Sequence, residues 1–229
     1  LMNYCKTSLG DKYLSTVKNS LYKNYNPSLS QIATHDLLVS LGAMIIGSKR
    51  GKINKVITYN YDDLLETYLL YHGYMPNTIS TVPYTKIDSD IDIYHPHGYL
   101  PYLWGKDSKK IVLDQDSYAA SSGIDNPFYR EIESVVLSTT CLFIGISGRD
   151  RAVNELIIKS KVNHISTRTP NTILGFIFKL DTDLKPFEEE HFKSNGIFCI
   201  KIKDYNEIPP FISKVCQYSL KLKFPGYLV

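Results

Sequence analysis

The sequence predicts an α/β fold of three layers, with a doubly wound and mostly parallel sheet. After Lys52, short runs that are apolar on both sides alternate with helical segments. Strands that are buried on both faces are typical of parallel sheets covered by helices. A length of 229 residues suits one large domain, so residues 1–229 are expected to form a single domain.

The predicted elements alternate along the chain. Residues 1–50 are expected to be a helical lead-in, because apolar residues recur at helical spacing between Ile32 and Ile45. Residues 81–122, which are rich in Asp, Ser, Tyr and Pro, are the expected irregular or inserted region. The predicted strands are residues 56–58, 91–95, 141–147, 172–178 and 197–202. The predicted helices are residues 27–49, 62–71, 125–140, 152–161, 185–196 and a last one beginning near Pro209.

Composition excludes several classes of protein. A net charge of +3, with Lys and Arg scattered, gives no case for nucleic-acid binding. No apolar run approaches the roughly 18 residues of a membrane span. The four cysteines are far apart and form no Cys-x-x-Cys pair, which excludes a zinc ribbon. Free thiols in apolar runs favour a reduced, cytoplasmic setting.

Polar residues collect at three junctions that each follow a predicted strand. These junctions are TYNYDD (58–63), YHPHGYLP (94–101) and GISGRD (145–150). In open α/β sheets, ligands bind beyond the carboxyl ends of the strands and beside helix N-termini. The three junctions together therefore indicate a ligand cleft.

The first junction has two interpretations. Asp62 or Asp63 can simply cap the following helix and complement its dipole, while Asn60 turns the chain. Alternatively, the Asn60 amide, which both donates and accepts hydrogen bonds, holds a sugar hydroxyl or a water molecule.

The second junction contains two histidines separated by one residue. His95 and His97 lie at the end of the predicted strand. A metal site would need further ligands, whereas an imidazole can act as a base near neutral pH. Gly98 would let a ligand approach the backbone beside His97.

The third junction, from Gly145 to Asp150, is a glycine-containing turn between a strand and a helix. Such turns let backbone N–H groups bind phosphate or ribose oxygens. A plain tight turn is the alternative, and the pattern is not the G-x-G-x-x-G dinucleotide fingerprint.

Taken in order, ITYNYDDLLE, YHPHGYLP and LFIGISGRDRAVNELI resemble the sirtuin-like NAD-cleaving domains of bacterial antiphage defence proteins. The resemblance covers about residues 55–202 and implies a Rossmann-like fold. It implies catalytic roles for Asn60 and His97. The NAD-binding residues that it implies are Thr58, Asp62, Gly145, Ser147 and, more weakly, Asp150.

Two features depart from the sirtuin pattern. The Gly-Ala-Gly-x-Ser loop that cradles the pyrophosphate in sirtuins does not occur in the 229 residues. We expect it to precede Leu1 in a longer protein, or to have been lost. The zinc ribbon of protein deacylases is also missing, as it generally is in the defence proteins, so no metal is expected.

The resemblance implies an NAD⁺ hydrolase that releases nicotinamide and ADP-ribose, with NAD as its substrate. It also implies a toxic effector of antiphage defence, expected as a homo-oligomer under the control of a regulatory domain or of a partner that senses phage. One alternative is a non-catalytic module that binds ADP-ribose or NAD, or that mediates assembly. The other is an NAD-dependent protein deacylase, which the missing zinc ribbon disfavours.

Overall fold

The chain divides into two compact units. One comprises residues 1–128 and 209–229, and the other comprises residues 129–208. The computed structural model describes residues 2–25, 28–47, 53–103, 105–114, 117–118, 127–146, 155, 158 and 173–223.

The first unit surrounds a three-stranded parallel sheet. Strand β3 lies in the centre, with β1 and β2 on either side of it. Its elements in chain order are α1 (Met2–Leu9), a 3₁₀ turn (Gly10–Lys12), α2 (Tyr13–Leu21), α3 (Leu29–Ile32), α4 (Asp36–Gly47), β1 (Lys55–Ile57), α5 (Leu64–Tyr71), β2 (Pro76–Ile79) and β3 (Ile91–Tyr94).

The second unit contains another three-stranded parallel sheet, in which β5 lies between β4 and β6. The chain then returns to the first unit in its last helix. The remaining elements in chain order are α6 (Pro127–Ser138), β4 (Cys141–Phe143), β5 (Gly175–Leu180), α7 (Pro186–Ser194), β6 (Ile197–Ile202), a 3₁₀ turn (Tyr205–Glu207) and α8 (Ile208–Lys223). The predicted α/β class with parallel strands is confirmed.

Strand β2 was not predicted from the sequence. It is only four residues long and begins with Pro76 and Asn77, two residue types that are depleted in strands. Tertiary pairing overrides this low propensity, because β2 aligns with β3 from Pro76 opposite Ile91 to Ile79 opposite Tyr94.

The single helix predicted for residues 27–49 is wrong. The segment forms two helices, α3 and α4, with a break between Ile32 and Asp36. The hydroxyl of Thr34 donates to the carbonyl of Gln31 at 2.7 Å, which satisfies an acceptor at the end of α3. Asp36 then occupies the first turn of α4, where a negative charge complements the helix dipole.

The core of the first unit lies between β3 and two helices. Ile91 and Ile93 of β3 pack with Ile45 of α4 and Leu69 of α5, and all four side chains are buried. Because α4 and α5 contact each other directly, Gly42 lies against the ring of Tyr68. A Cβ atom at residue 42 would collide with that ring, so the glycine permits the close approach of the two helices.

Two glycines of α4 provide a matched test of this packing. We expect Gly42→Ala to lower the free energy of unfolding by about 1–3 kcal/mol, because the buried ring of Tyr68 must move. Gly47→Ala is the control, since residue 47 is exposed and none of the described residues lies within 4 Å of an added Cβ atom. It should leave stability unchanged or raise it by up to about 1 kcal/mol. Urea denaturation measures both, and equal effects would contradict the packing.

Candidate active site

Parallel pairing brings two of the predicted junctions to one edge of the first sheet. Ile57 at the end of β1 lies opposite Tyr94 at the end of β3, and the Thr58 N–H donates to the Tyr94 carbonyl at 2.9 Å. Asn60 and His97 each follow this pair by three residues. The segments that carry the two predicted catalytic residues therefore leave neighbouring strands side by side.

The backbone of Asn60 is held from two directions. Its N–H donates to the hydroxyl of Thr58 at 3.2 Å, and its carbonyl accepts from Nδ1 of His95 at 3.0 Å. The residue itself is exposed. The structure thus presents an exposed amide side chain on a fixed backbone, and Thr58 contributes to that fixation.

His97 lies among aromatic rings. Its ring centroid is 4.6 Å from that of Tyr59 and 5.9 Å from that of Tyr118. Its carbonyl accepts from the Val112 N–H at 2.8 Å, which ties this segment to the following loop. The imidazole of His97 is half-buried, whereas His95 is fully buried. Both residues lie beyond β3, which ends at Tyr94, in a turn where the Gly98 N–H donates to the His95 carbonyl at 3.1 Å.

The two aspartates of the first junction differ in their contacts. Asp62 precedes the N-cap residue Asp63 and accepts from the Leu64 N–H, the first N–H of α5, at 3.2 Å, so it satisfies a donor at the helix start without being the N-cap. The capping interpretation is wrong for Asp63, whose side chain makes no cap hydrogen bond to α5. The helix also begins at Leu64 rather than at residue 62.

The carboxylate of Asp63 instead binds a distant loop. It accepts from the backbone N–H groups of Tyr102 and Leu103, each at 2.9 Å. The hydroxyl of Tyr22, 3.3 Å away, shares its single proton between Asp63 and the Leu100 carbonyl, which lies at 2.7 Å. Asp63 is 0% exposed. The buried carboxylate joins the start of α5 to the loop after β3 and to the residue after α2.

A buried, hydrogen-bonded pair of His95 and Glu66 adjoins this junction. Nε2 of His95 is 2.7 Å from Oε1 of Glu66 in α5, and the side chains are 0% and 2% exposed. Glu66 was not predicted from the sequence as a site residue. The sequence does place an acidic residue on the inward face of the predicted helix, three residues after Asp63. The contact of that residue with His95 arises only from tertiary packing, so it could not be predicted.

The role expected for Gly98 needs correction. Its φ is +101°, and an added Cβ atom would lie 2.7 Å from the carbonyl oxygen of Lys110 and 2.9 Å from the side chain of Ile111. The close approach at Gly98 is therefore made by the chain's own loop, and glycine is needed for that contact.

The third junction belongs to the second unit. Gly145 follows β4 with φ +70° and is exposed, and no described residue lies within 4 Å of an added Cβ atom. Nζ of Lys179 in β5 donates to the carbonyl of Ile146 at 3.4 Å. The predicted strand ends at Phe143 rather than at residue 147. Ser147 and Asp150 lie outside the described residues, and so does the predicted helix 152–161 apart from residues 155 and 158.

Comparison with protein families decides the family. The family model described as the SIR2-like domain matches residues 54–200, which is more than half of the chain. The chain belongs to the SIR2-like domain family. No curated protein matches it. The matched region includes all three junctions, and membership supports an NAD-related function for the domain.

Within the described part of this SIR2-like chain, no group of three or more His, Cys, Asp or Glu residues could hold a metal ion. The four cysteines are free thiols. Across the same described residues, no helix has the length and apolar character to cross a membrane.

A cavity of about 400 Å³ lies beside the SIR2-like site in the first unit. Glu66 and Leu70 of α5 line one wall, Asn77 and Thr78 of β2 line another, and Tyr99 contributes from the loop after β3. Neither Asn60 nor His97 lines this cavity.

Asp63 can be tested against an exposed aspartate. We expect Asp63→Ala to lower the free energy of unfolding by about 2–3 kcal/mol, because the N–H groups of Tyr102 and Leu103 lose a charged acceptor. Asp107→Ala is the control, since Asp107 forms a largely exposed ion pair with Lys18 and should cost less than about 1 kcal/mol. Chemical denaturation compares the two, and a smaller effect at residue 63 would contradict the structural role of its carboxylate.

Asp62 predicts a pH-dependent change in stability. Burial raises its pKa and the nearby charge of Glu66 adds to the effect, although the hydrogen bond from the Leu64 N–H opposes it. The folded state therefore binds this proton more tightly than the unfolded state, and stability is lost as the pH rises through the folded-state pKa.

Asp62→Asn should raise the melting temperature at pH 7, because the amide keeps an acceptor for the Leu64 N–H without the buried charge. At a pH below the ordinary aspartate pKa of about 3.9, both forms are neutral and the gain should vanish. Thermal unfolding across pH measures this difference. If the gain in melting temperature of Asp62→Asn grows as the pH falls, the raised pKa of Asp62 is contradicted.

Proposed function

We propose that this SIR2-like chain hydrolyses NAD⁺ at the bond between nicotinamide and ribose. The observation that carries the proposal is the parallel register of β1 and β3, in which Asn60 and His97 each follow the pair Ile57 and Tyr94 by three residues. Family membership over residues 54–200 supports an NAD-related substrate.

The chemistry suits these two side chains. Nicotinamide leaves as a neutral molecule with the electron pair of the broken bond, so no strong general acid is needed. The transition state resembles an oxocarbenium ion, as in glycoside hydrolysis. Water supplies the oxygen that bonds to C1′ of the ribose, and its proton passes through a base to solvent. The products are nicotinamide, ADP-ribose and a proton.

Asn60 is proposed to orient the water molecule and the ribose. Its amide can donate and accept at the same time without adding charge beside a developing cation. The hydrogen bonds to its backbone N–H and carbonyl support this role, because orientation requires a fixed donor and acceptor.

His97 is proposed as the base that accepts a proton from the water or from a ribose hydroxyl. An imidazole can do so near neutral pH without a large pKa shift. Its place beside the rings of Tyr59 and Tyr118 supports the role, since a base must be held in one orientation.

The remaining site residues are proposed to bind NAD. Asp62 contacts the nicotinamide side or stabilises positive charge, and Thr58 supports the ribose site. Gly145 and Ser147 hold the ribose and phosphates through the turn after β4, with Asp150 as a weaker candidate.

The proposed biological role is that of a toxic effector in antiphage defence, acting in the cytoplasm by depleting NAD. Because free NAD hydrolysis would harm an uninfected cell, we propose that activity is restrained by homo-oligomeric assembly or by a regulatory domain or partner that senses phage.

Single substitutions test the two catalytic assignments. We expect Asn60→Ala and His97→Ala each to lower the rate of nicotinamide release by at least about 100-fold, the usual range for losing a positioned base or orienting group. Chromatographic measurement of nicotinamide gives the rate, and thermal unfolding confirms that each variant is folded.

Matched controls come from elsewhere in the chain. Asn54→Ala changes an exposed residue before β1, at the other end of that strand, and His191→Ala changes an exposed residue of α7. Both should keep full activity. Full activity in both Asn60→Ala and His97→Ala would show that these residues are not catalytic.

The same samples distinguish the alternatives. If calorimetry shows binding of NAD or ADP-ribose and no nicotinamide is released, the chain is a binding module and not a hydrolase. NAD-dependent removal of the acetyl group from an acetyl-lysine peptide would indicate a deacylase.

A further inference from the structure

Glu66 and His95 form a buried pair directly behind Asn60. Their side chains are 2% and 0% exposed, and Nε2 of His95 lies 2.7 Å from Oε1 of Glu66. Nδ1 of the same imidazole lies 3.0 Å from the carbonyl oxygen of Asn60. A continuous path of hydrogen bonds therefore runs from the carboxyl group in α5 to the backbone of Asn60.

The chemistry of the three groups determines where the protons lie. A carbonyl oxygen only accepts, so Nδ1 of His95 carries a proton and donates it to Asn60. The contact between Nε2 and Glu66 then contains one further proton, held either by the imidazole or by the carboxyl group. In both cases the pair has no net charge, which lowers the cost of burying it.

The neighbours of the pair hold it in place. The ring of Tyr99 lies 4.6 Å from the imidazole of His95, centroid to centroid, and the hydroxyl of Thr78 donates to Oε1 of Glu66 at 3.4 Å. Asp62 and Asp63 are the nearby ionisable groups from the junction before α5, and their side chains bind the Leu64 N–H and the loop at residues 102–103. The imidazole is thus clamped on the ring face and at both nitrogens.

We propose that Glu66 and His95 are positioning residues for Asn60. Glu66 orients the imidazole, and the imidazole sets the location of the Asn60 carbonyl, while Thr58 binds the N–H of the same residue. The exposed amide of Asn60 is thereby aimed without either partner touching the substrate. This inference rests on the proposed hydrolysis of NAD, in which Asn60 orients water and ribose.

The pair also has a feature that packing alone does not explain. Buried ion pairs are often replaced by apolar side chains with no loss of stability. An apolar pair would fill the space between α5 and β3, but it would leave the carbonyl of Asn60 without a donor. The bond to Asn60 is therefore the contact that requires histidine.

Two substitutions of His95 separate its two nitrogens. Asn carries its amide nitrogen at the same number of bonds from Cβ as Nδ1, so His95→Asn can keep the bond to Asn60 and lose the bond to Glu66. Gln places its amide nitrogen where Nε2 lies, so His95→Gln keeps the bond to Glu66 and loses the bond to Asn60.

If the pair positions Asn60, His95→Gln should lower kcat for nicotinamide release by about 100-fold with little change in KM, as expected for a misplaced orienting group. His95→Asn should retain much more of kcat. Equal losses in the two variants, tracking their melting temperatures, would show a role in stability alone and overturn the proposal.

Glu66 provides a second test that keeps the fold. In Glu66→Gln, the side-chain NH₂ can donate to Nε2 while Nδ1 still donates to Asn60, so the pair stays neutral and connected. Glu66→Gln should therefore retain most of kcat, whereas Glu66→Ala should approach the loss seen in His95→Gln. Equal activity of Glu66→Gln and Glu66→Ala would overturn the role of Glu66.

A spectroscopic measurement separates this inference from the proposed function. The amide nitrogen of Tyr61 is bonded to the Asn60 carbonyl carbon, so its NMR resonance reports the hydrogen bond to that carbonyl. It should shift in His95→Gln and stay near the wild-type position in His95→Asn. If the wild-type protein releases no nicotinamide, the proposed function fails, yet this comparison still decides whether His95 positions Asn60. Equal shifts in both variants would overturn the positioning.

Discussion

Parallel pairing between β1 and β3 is the constraint on which the site depends. It sends the chain after Ile57 and the chain after Tyr94 out of the same edge of the sheet, where they are joined by several polar contacts. His95 binds the carbonyl of Asn60, Asp63 binds the loop at residues 102–103, and the Leu100 N–H donates to the carbonyl of Tyr61 at 2.7 Å. With a different strand order, none of these bonds would form, and Asn60 and His97 would not share an edge.

The contacts at this edge are mostly polar, in contrast to the apolar packing of Ile45, Leu69, Ile91 and Ile93 deeper in the unit. Polar groups are costly to bury, but their geometry is specific, because each donor needs an acceptor in one direction. Apolar packing therefore secures the sheet and its helices, while directional bonds define where the site residues lie. This division explains why three acidic residues, Asp62, Asp63 and Glu66, occur within five positions of a largely apolar helix start.

Local patterns were sufficient to predict the parts of the fold that follow from hydrophobic periodicity. The strands around Val56 and Ile93 and the helix after Asp63 are examples, and the polar junctions after the two strands indicated Asn60 and His97. The remaining features depend on tertiary contacts. Strand β2 forms because β3 is available to pair with it, despite Pro76 and Asn77. The backbone N–H donors to Asp63 lie about 40 residues away along the chain, and the partner of Glu66 lies 29 residues away. Local sequence patterns do not span these separations, so they could not predict the contacts.

The exposed amide of Asn60 stands on a backbone whose hydrogen bonds come from Thr58 and His95. The fold therefore depends little on the side chain of residue 60, since other residues supply the hydrogen bonds that shape the turn. The residue that is proposed to act on the substrate and the residues that shape the turn are therefore at different positions of the sequence. Under the role proposed for Asn60, a substitution at residue 60 changes the reactivity of a related chain while its scaffold is kept, and a shared fold is then a poor guide to shared activity.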